Sequence, residues 1–187
     1  ARGRKEEGRD RMSDMAEILR AFRGAVAHRD SWKSVRLARL GIDRLPDWVA
    51  ARRSAALGTP TAPLPADFLQ LGCLLLGCAG DTAALAAARS AVERIPELAP
   101  CRACVERGEI ALRTAEALLR LAAQRPGNTV AELAHSLLGV DEGLLSQVCF
   151  WLGELGRLER RRPGADPSLR LVPHDSQAPA AGGPSPD

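Results

Sequence analysis

The segment NTVAELAHSLLGVDEGLLSQVCFWLGELGRLERRRPGADPSLRLV, residues 128–172, carries the pattern that decides the fold. Thr129 followed three residues later by Glu132 is the signature of a capping box, in which each side chain satisfies a backbone N–H at a helix start. Apolar residues then recur at helical spacing as far as Gly139, which permits the chain to leave the helix. Asp141 is a candidate cap for a second helix. The sequence therefore predicts two short consecutive helices.

The pattern changes from helical to alternating after the second helix. Apolar and polar residues alternate in 158–160 and 168–171, as they do in half-buried strands. The intervening residues 162–167, RPGADP, have the chemistry of a tight exposed loop. An amphipathic helix is also predicted upstream, at about 109–123. Three helices followed by two strands would complete a small domain over residues 109–172.

This segment resembles the winged helix-turn-helix superfamily. The phrases that carry the resemblance are TVAELAHSLLGV (129–140), LLSQVCFWL (144–152) and GRLERR (156–161). HSLLGV carries one residue more than the commoner short helix-turn form. The resemblance covers about a third of the chain and is closest to bacterial regulators with a GxLxRR-type phrase. It implies a three-helix unit with a two-stranded β wing.

The resemblance also implies a way of binding DNA. In members that bind DNA, the second helix of the pair enters the major groove and the wing contacts the phosphate backbone. Gly143, Leu144, Ser146 and Gln147 would then occupy the base-facing positions. Of these, Ser146 and Gln147 can hydrogen-bond to base edges, and Gln is a good partner for adenine. The phosphate contacts of the wing would come from Arg160, Arg161, Arg162 and Arg170. Such contacts release counterions, so binding would depend strongly on salt.

The composition of the second helix supports an alternative function. Residues 141–155 contain three acidic residues and no Lys or Arg, a poor match to an anionic groove. Phe150 and Trp151 are adjacent, and two neighbouring rings cannot both point into one small core. At least one of them would face a partner or another part of the chain, and aromatic residues commonly anchor interfaces. The alternative is a scaffold or subunit of a multiprotein assembly, or a homodimer, with Phe150 and Trp151 as the docking patch.

Composition sets the fold class of the whole chain. The 187 residues are 45% hydrophobic and 26% charged, which is typical of a globular protein. Aromatic residues make up only 3%, so the core must consist mainly of Leu, Ala and Val, and Leu and Ala favour helices. We expect a mostly α fold, with an N-terminal helical region followed by a C-terminal winged helix that carries a small two-stranded wing.

Breaks in the hydrophobic pattern divide the chain. The predicted segments are a flexible basic arm over 1–11, N-terminal helices over 12–57, a linker over 58–65, a central helical hairpin over 66–108, the winged-helix domain over 109–172 and a disordered tail over 173–187. Three helices are expected within 12–57, the second capped by Ser31 with Trp32 inward and the third begun by Pro46. The hairpin is expected to contain helices over 66–79 and 82–94.

Basic charge is concentrated near the N-terminus. Residues 1–57 hold 14 basic and 8 acidic residues, a net charge of +6, whereas the whole chain carries +3. Arg29, Lys33 and Arg36 are spaced i, i+4 and i+7, which places them on one face of a continuous helix. This face is either a solvated surface or a second nucleic-acid contact. If DNA is bound, we expect this region and the wing to share the phosphate contacts.

Five cysteines raise the question of a metal site. Cys101 and Cys104 have the CxxC spacing of half a zinc or iron–sulfur site. Cys73 and Cys78 could supply the other half, but residues five apart on a helix point roughly 140° away from each other. Both lie in an apolar helix where Cys behaves as a small hydrophobe, and Cys149 is also expected in the core. We therefore predict no metal and no cofactor, and a metal-dependent sensor using the CxxC pair is the third hypothesis.

No arrangement of residues typical of catalysis is found. The three histidines are scattered, and the sequence contains neither a Ser-His-Asp or Cys-His set nor a glycine-rich phosphate loop. No apolar run approaches the length of a membrane span, and an odd cysteine count without an export signal fits a reducing compartment. The prediction is a non-enzymatic DNA-binding or DNA-associated regulator of double-stranded DNA. Its expected location is the cytoplasm or nucleoid, or the nucleus in a eukaryote.

Overall fold

The computed structural model describes residues 3–55, 66–125, 128–129, 132, 137, 139–161 and 170–173, with side chains described between residues 15 and 159. Within these ranges the chain forms six α-helices, one 3-10 helix and two strands. They are α1 (Gly3–Ala27), α2 (Ser31–Ala55), α3 (Ala66–Ala79), α4 (Thr82–Arg94), the 3-10 helix (Pro96–Cys101), α5 (Arg102–Gln124), α6 (Glu142–Glu154), β1 (Leu158–Arg161) and β2 (Arg170–Pro173). The prediction of a mostly helical chain is confirmed. The linker at 58–65 and the tail after residue 173 lie outside the described residues.

α1 and α2 form a long hairpin joined by a tight turn. Arg29 in the turn has a φ of +56°, and Asp30 accepts a hydrogen bond from the Lys33 backbone N–H at 3.2 Å. Asp30 is therefore the cap of α2, and the prediction that Ser31 caps it was wrong. The Ser31 hydroxyl donates to the Arg29 carbonyl and is buried.

Three predictions about the N-terminal region were wrong. Residues 3–11, expected in a flexible arm, form the start of α1, because Arg, Lys and Glu are favourable helix residues even without an apolar stripe. α2 runs through Pro46 as one helix, since Trp48 and Val49 continue the buried face begun by Val35 and that burial outweighs the missing N–H. Trp32 points outward and not inward.

α3 lies at the centre of the fold and packs against both α2 and α5. Its contact with α5 is unusually close, because both helices carry a glycine at the crossing. A Cβ atom at Gly77 would lie 2.3 Å from the Gly108 carbonyl oxygen, and one at Gly108 would lie 2.7 Å from the Cys73 carbonyl oxygen. α5 begins at Arg102, so the predicted boundary between residues 108 and 109 falls inside a continuous helix.

Arginine–carboxylate pairs connect the helices at their edges. Arg89 of α4 binds Glu109 of α5 through two hydrogen bonds. Arg53 of α2 binds Glu97 of the 3-10 helix in the same two-point manner, and this pairing lowers the pKa of Glu97 to about 2. Such forked pairs fix the orientation of the two groups as well as their distance.

The caps predicted for the C-terminal third are confirmed. The Asp141 carboxylate accepts from the Leu144 N–H at 2.9 Å, and Thr129 and Glu132 exchange the two hydrogen bonds of a capping box. Most residues of the helix expected after Thr129 lie outside the described residues. α6 is followed by a positive-φ glycine, Gly156. The next residue, Arg157, donates to the Cys78 carbonyl at 2.6 Å and so connects this end of α6 to α3.

β1 and β2 form a short antiparallel pair after α6. Leu158 lies opposite Pro173, and Arg161 lies opposite Arg170. Leu158 is buried, so β1 is anchored in the core at its first residue. β2 also packs against α5, and β1 packs against α6, so the strand pair contacts both helices.

Candidate nucleic-acid interface

The outer side of α6 carries the two residues predicted to hydrogen-bond to base edges. Gly143, Ser146 and Gln147 are exposed, whereas Leu144, Leu145 and Val148 are buried, so the prediction that Leu144 faces bases was wrong. This alternation follows from helical spacing, which turns positions 146 and 147 away from the core. Both side chains are therefore available to a ligand on the surface of the protein.

The basic patch, defined as Arg29, Lys33 and Arg36, contacts this helix through Arg29. The continuous helix on which the predicted basic face depended is not present, because Arg29 lies in the turn between α1 and α2 and only Lys33 and Arg36 belong to α2. All three side chains are exposed. The Arg29 guanidinium stands over the Phe150 ring, with its carbon 5.9 Å from the ring centroid, within the range of a cation–π contact. The turn between α1 and α2 is thereby held against the C-terminal half of α6. The fold thus brings one residue of the basic patch, Arg29, into contact with the helix that carries Ser146 and Gln147.

Arg107 joins this surface without having been identified from the sequence. It lies on α5 and donates to the Gln147 side-chain oxygen at 3.3 Å. The two residues are 40 positions apart, and no local pattern could have linked them. They border a cavity of about 320 Å³ whose other lining residues are Asp67, Gln70, Leu71, Leu74 and Trp151.

Of the four arginines predicted for the wing, the structure describes the backbone of Arg160, Arg161 and Arg170. Arg160 lies opposite Leu171, and Arg161 lies opposite Arg170. The side chains of Arg160, Arg161 and Arg170 and the whole of Arg162 are outside the described residues. The prediction that these arginines contact phosphates therefore stays a prediction.

The docking patch predicted from Phe150 and Trp151 is only partly at the surface. Their rings contact each other edge to face, with centroids 5.0 Å apart. Trp151 is 7% exposed because it lies seven residues, two helical turns, after the buried Leu144. Trp151 is therefore largely buried within the chain itself, and its role as a docking residue stays a prediction. Phe150 is half-buried beneath Arg29, so it faces another part of the chain, one of the two outcomes expected.

Four of the five cysteines are buried, and Cys104 is partly exposed. Cys73 and Cys78 are buried, and burial raises the pKa of both thiols to about 12. Burial also raises the pKa of Cys101 and Cys104 above the usual thiol value. Among the residues that the structure describes, no group of three or more His, Cys, Asp or Glu side chains is arranged to hold a metal ion. The sensor hypothesis therefore gains no ligand set from this part of the chain.

Comparisons with known proteins leave the surface chemistry as the guide to function. No family model, curated protein or solved structure matches the chain. Of the helices within the described ranges, none combines the length and the apolar character needed to cross a membrane.

Proposed function

We propose that the chain is a non-enzymatic regulator or associated protein of double-stranded DNA. In this proposal α6 acts as the recognition helix of a winged helix, and β1 and β2 belong to its wing. The observation that carries the proposal is the contact of Arg29 with Phe150. It brings one exposed cation of the basic patch, Arg29, against the helix that carries Ser146 and Gln147, and Lys33 and Arg36 follow Arg29 closely along the chain.

The charge of α6 explains why the neighbouring cations matter. α6 contains no Lys or Arg, and Glu142 near its start is exposed. Such a helix gains little from the potential of an anionic groove by itself. Most hydrogen bonds between proteins and DNA go to phosphate and sugar, and these contacts position the residues that read bases. Arg29 and Arg107 supply cations beside α6, so phosphate contacts can come from these adjacent elements.

The order of elements around α6 supports the winged-helix interpretation. A long helix, α5, precedes the capping box at Thr129, and α6 is followed by a glycine turn and an antiparallel strand pair. Buried residues on one side of α6 join the core shared with α5 and β1. This arrangement leaves the opposite side of α6 accessible, as groove binding requires.

A salt titration of duplex binding tests the proposal. The variant Lys33→Glu with Arg36→Glu should weaken binding by at least roughly ten-fold at low salt. It should also reduce the slope of log affinity against log salt by roughly two, about one for each phosphate-binding cation that is removed. The matched control is Arg94→Glu with Arg113→Glu, an equal charge change at exposed positions on α4 and α5. Equal losses in both variants, or a loss in neither, would contradict a role for the basic patch.

Base readout needs a separate measurement. Ser146→Ala with Gln147→Ala should keep most of the salt-dependent affinity for random duplex and lose the preference for a selected sequence. The expected loss is about 1–3 kcal/mol at a preferred base pair. If the preferred sequence stays preferred, α6 does not read bases and the recognition-helix assignment fails.

Dissociation of a homodimer or protein partner on Phe150→Ser, without any change in DNA affinity, would favour the docking alternative.

A further inference from the structure

Trp32 is exposed in a way that the proposed function does not explain. It is 52% exposed, while Trp48 and Trp151 are 8% and 7% exposed. Among the described residues it is the most exposed large hydrophobic side chain. Covering a tryptophan ring removes a large apolar area from water, so an open indole on a folded surface is a natural contact point.

The surroundings of Trp32 are cationic. Lys33 follows it directly, and Arg36 lies four residues later on the same side of α2. Arg29 stands in the turn that precedes the helix. The nearby carboxylate in the chain, that of Asp30, is engaged by the Lys33 backbone N–H as the cap of α2. The indole therefore shares one side of α2 with Arg36, and Arg29 and Lys33 lie within three residues of it along the chain.

Charge complementarity selects the occupant of this surface. A flat ring among cations matches a polyanion that carries flat rings, because phosphates pair with the cations while a base stacks on the indole. In a fully paired duplex the faces of the bases are covered by their neighbours, so an internal base offers no face to Trp32. An unpaired base does.

We propose that Trp32 stacks on an unpaired base of DNA held by the basic patch. The chain would then bind DNA with a single-stranded segment more tightly than the same DNA fully paired. This inference rests on the proposed function, because it places the stacked base on the surface that holds the duplex.

The first test compares a short blunt duplex with the same duplex carrying a single-stranded thymidine tail. For the unaltered chain, the tail should increase affinity by roughly ten-fold. Trp32→Ala should abolish that gain, and Trp32→Phe should keep most of it because phenylalanine still offers an aromatic face. Ile110→Ala is the matched control, since Ile110 is another exposed hydrophobic residue, on α5, and its truncation should leave the gain unchanged.

The second test uses intrinsic fluorescence with an oligothymidine as the probe. Because Trp48 and Trp151 are buried, quenching by a stacked base should come from Trp32. The quenching should disappear in Trp32→Phe while binding of the oligothymidine persists. Quenching that remains in this variant would overturn the assignment to Trp32.

The outcomes separate this inference from the proposed function. Equal affinity for blunt and tailed duplexes, or a tail effect that survives Trp32→Ala, overturns the stacking and leaves duplex binding intact. Binding of tailed DNA alone, with loss on Trp32→Ala, supports the stacking and contradicts duplex binding. Absence of binding to either DNA removes both. Dissociation of a homodimer on Trp32→Ala, without an effect on DNA, overturns the stacking by making Trp32 a protein contact.

Discussion

α3 and α6 have similar lengths and compositions but very different surroundings. α3 has 14 residues and α6 has 13, and both combine leucine, glycine and cysteine with few charges. Nine residues of α3 are buried, from Phe68 to Cys78, and only six of α6 are. α3 is therefore enclosed on most sides, whereas α6 keeps an accessible side. The difference shows that the composition of a short helix does not fix its role.

The cause of the difference lies in the neighbours of each helix. α5 crosses α3 at a distance that only glycine permits, with Gly77 and Gly108 at the contact. On another side, a Cβ atom at Gly41 of α2 would lie only 2.3 Å from the Phe68 ring of α3. α6 contacts the core through one face and meets polar or charged side chains, Arg107 and Arg29, at its edges. Close packing leaves α3 few exposed polar side chains, and two of them, Asp67 and Gln70, border the cavity beside Gln147, so binding is sought around α6.

The largest effect expected from this comparison is at the α3–α5 crossing. Gly77→Ala and Gly108→Ala should each destabilise the fold by about 3 kcal/mol, because the added methyl group meets backbone atoms that cannot move without separating the helices. Gly24→Ala is the matched control. Nothing lies within 4 Å of its Cβ position in α1, so this change should stabilise the protein by about 0.5–1 kcal/mol. Urea denaturation of the three variants measures these differences.

A small effect at both crossing positions would show that α3 and α5 can move apart. The contrast between an enclosed α3 and an open α6 would then lose its structural basis. Destabilisation by Gly24→Ala would show instead that alanine is costly in these helices for reasons unrelated to the crossing.

Local signals in the sequence identified the helices that contain clear caps. Asp141 at the start of α6 and the Thr129–Glu132 capping box were predicted because a cap involves residues only three positions apart. The ranges of α3 and α4 were predicted because breakers flank them on both sides. Local rules failed where burial outweighed them. At Pro46 they predicted the start of a new helix, but α2 continues through this residue because buried residues lie on both sides of it along the helix.

The candidate interface could be predicted only in pieces. Ser146 and Gln147 were found from their spacing on α6, but the contacts that bring Arg29 and Arg107 to this helix are between distant parts of the chain. Arg107 and Gln147 are 40 residues apart, and Arg157 and Cys78 are 79 apart. Pattern rules act within a few helical turns and contain no information on such pairs. For the same reason the exposed position of Trp32 was missed, since its sequence suits either face of α2.

Arg157 provides the next largest effect, because it connects the two helices being compared. Its guanidinium donates to the Cys78 carbonyl near the end of α3, a charge-assisted hydrogen bond in a half-buried position. Arg157→Met should cost about 1.5 kcal/mol in unfolding free energy, because it keeps the length of the side chain and leaves that carbonyl without its donor. The expected signature is faster amide exchange in α6 and β1 than in α3. Uniformly faster exchange in all of them would contradict a role as a local tie.

A smaller effect is expected at the start of α6. Asp141→Ala removes the acceptor for the Leu144 N–H and should destabilise the protein by about 1 kcal/mol. Asp141→Asn retains a capping oxygen, and its cost should be clearly lower. Thermal unfolding of the two variants side by side checks the difference. Equal costs would mean that the charge of Asp141, and not its cap, stabilises α6.

The smallest effect concerns the ion pair between Arg53 and Glu97, away from both helices. The Arg53 hydrogen bonds hold the pKa of Glu97 at about 2, below its ordinary value of 4.5. Because the folded-state pKa is lowered, the stabilisation is fully present above about pH 4.5 and is lost as the pH falls from there toward 2. Both side chains are well exposed, at 59% and 41%, so solvent screens the pair and the effect should be small. Glu97→Gln should lower the free energy of unfolding slightly near neutral pH, by the amount that the ion pair contributes, and should reduce the loss of stability between pH 4.5 and 2. The exposed control Glu116→Gln should keep the full loss of stability in that range. If Glu97→Gln and the unaltered chain lose the same stability between pH 4.5 and 2, other carboxylates cause that loss. Glu109, whose pKa Arg89 also lowers, is then the first to substitute.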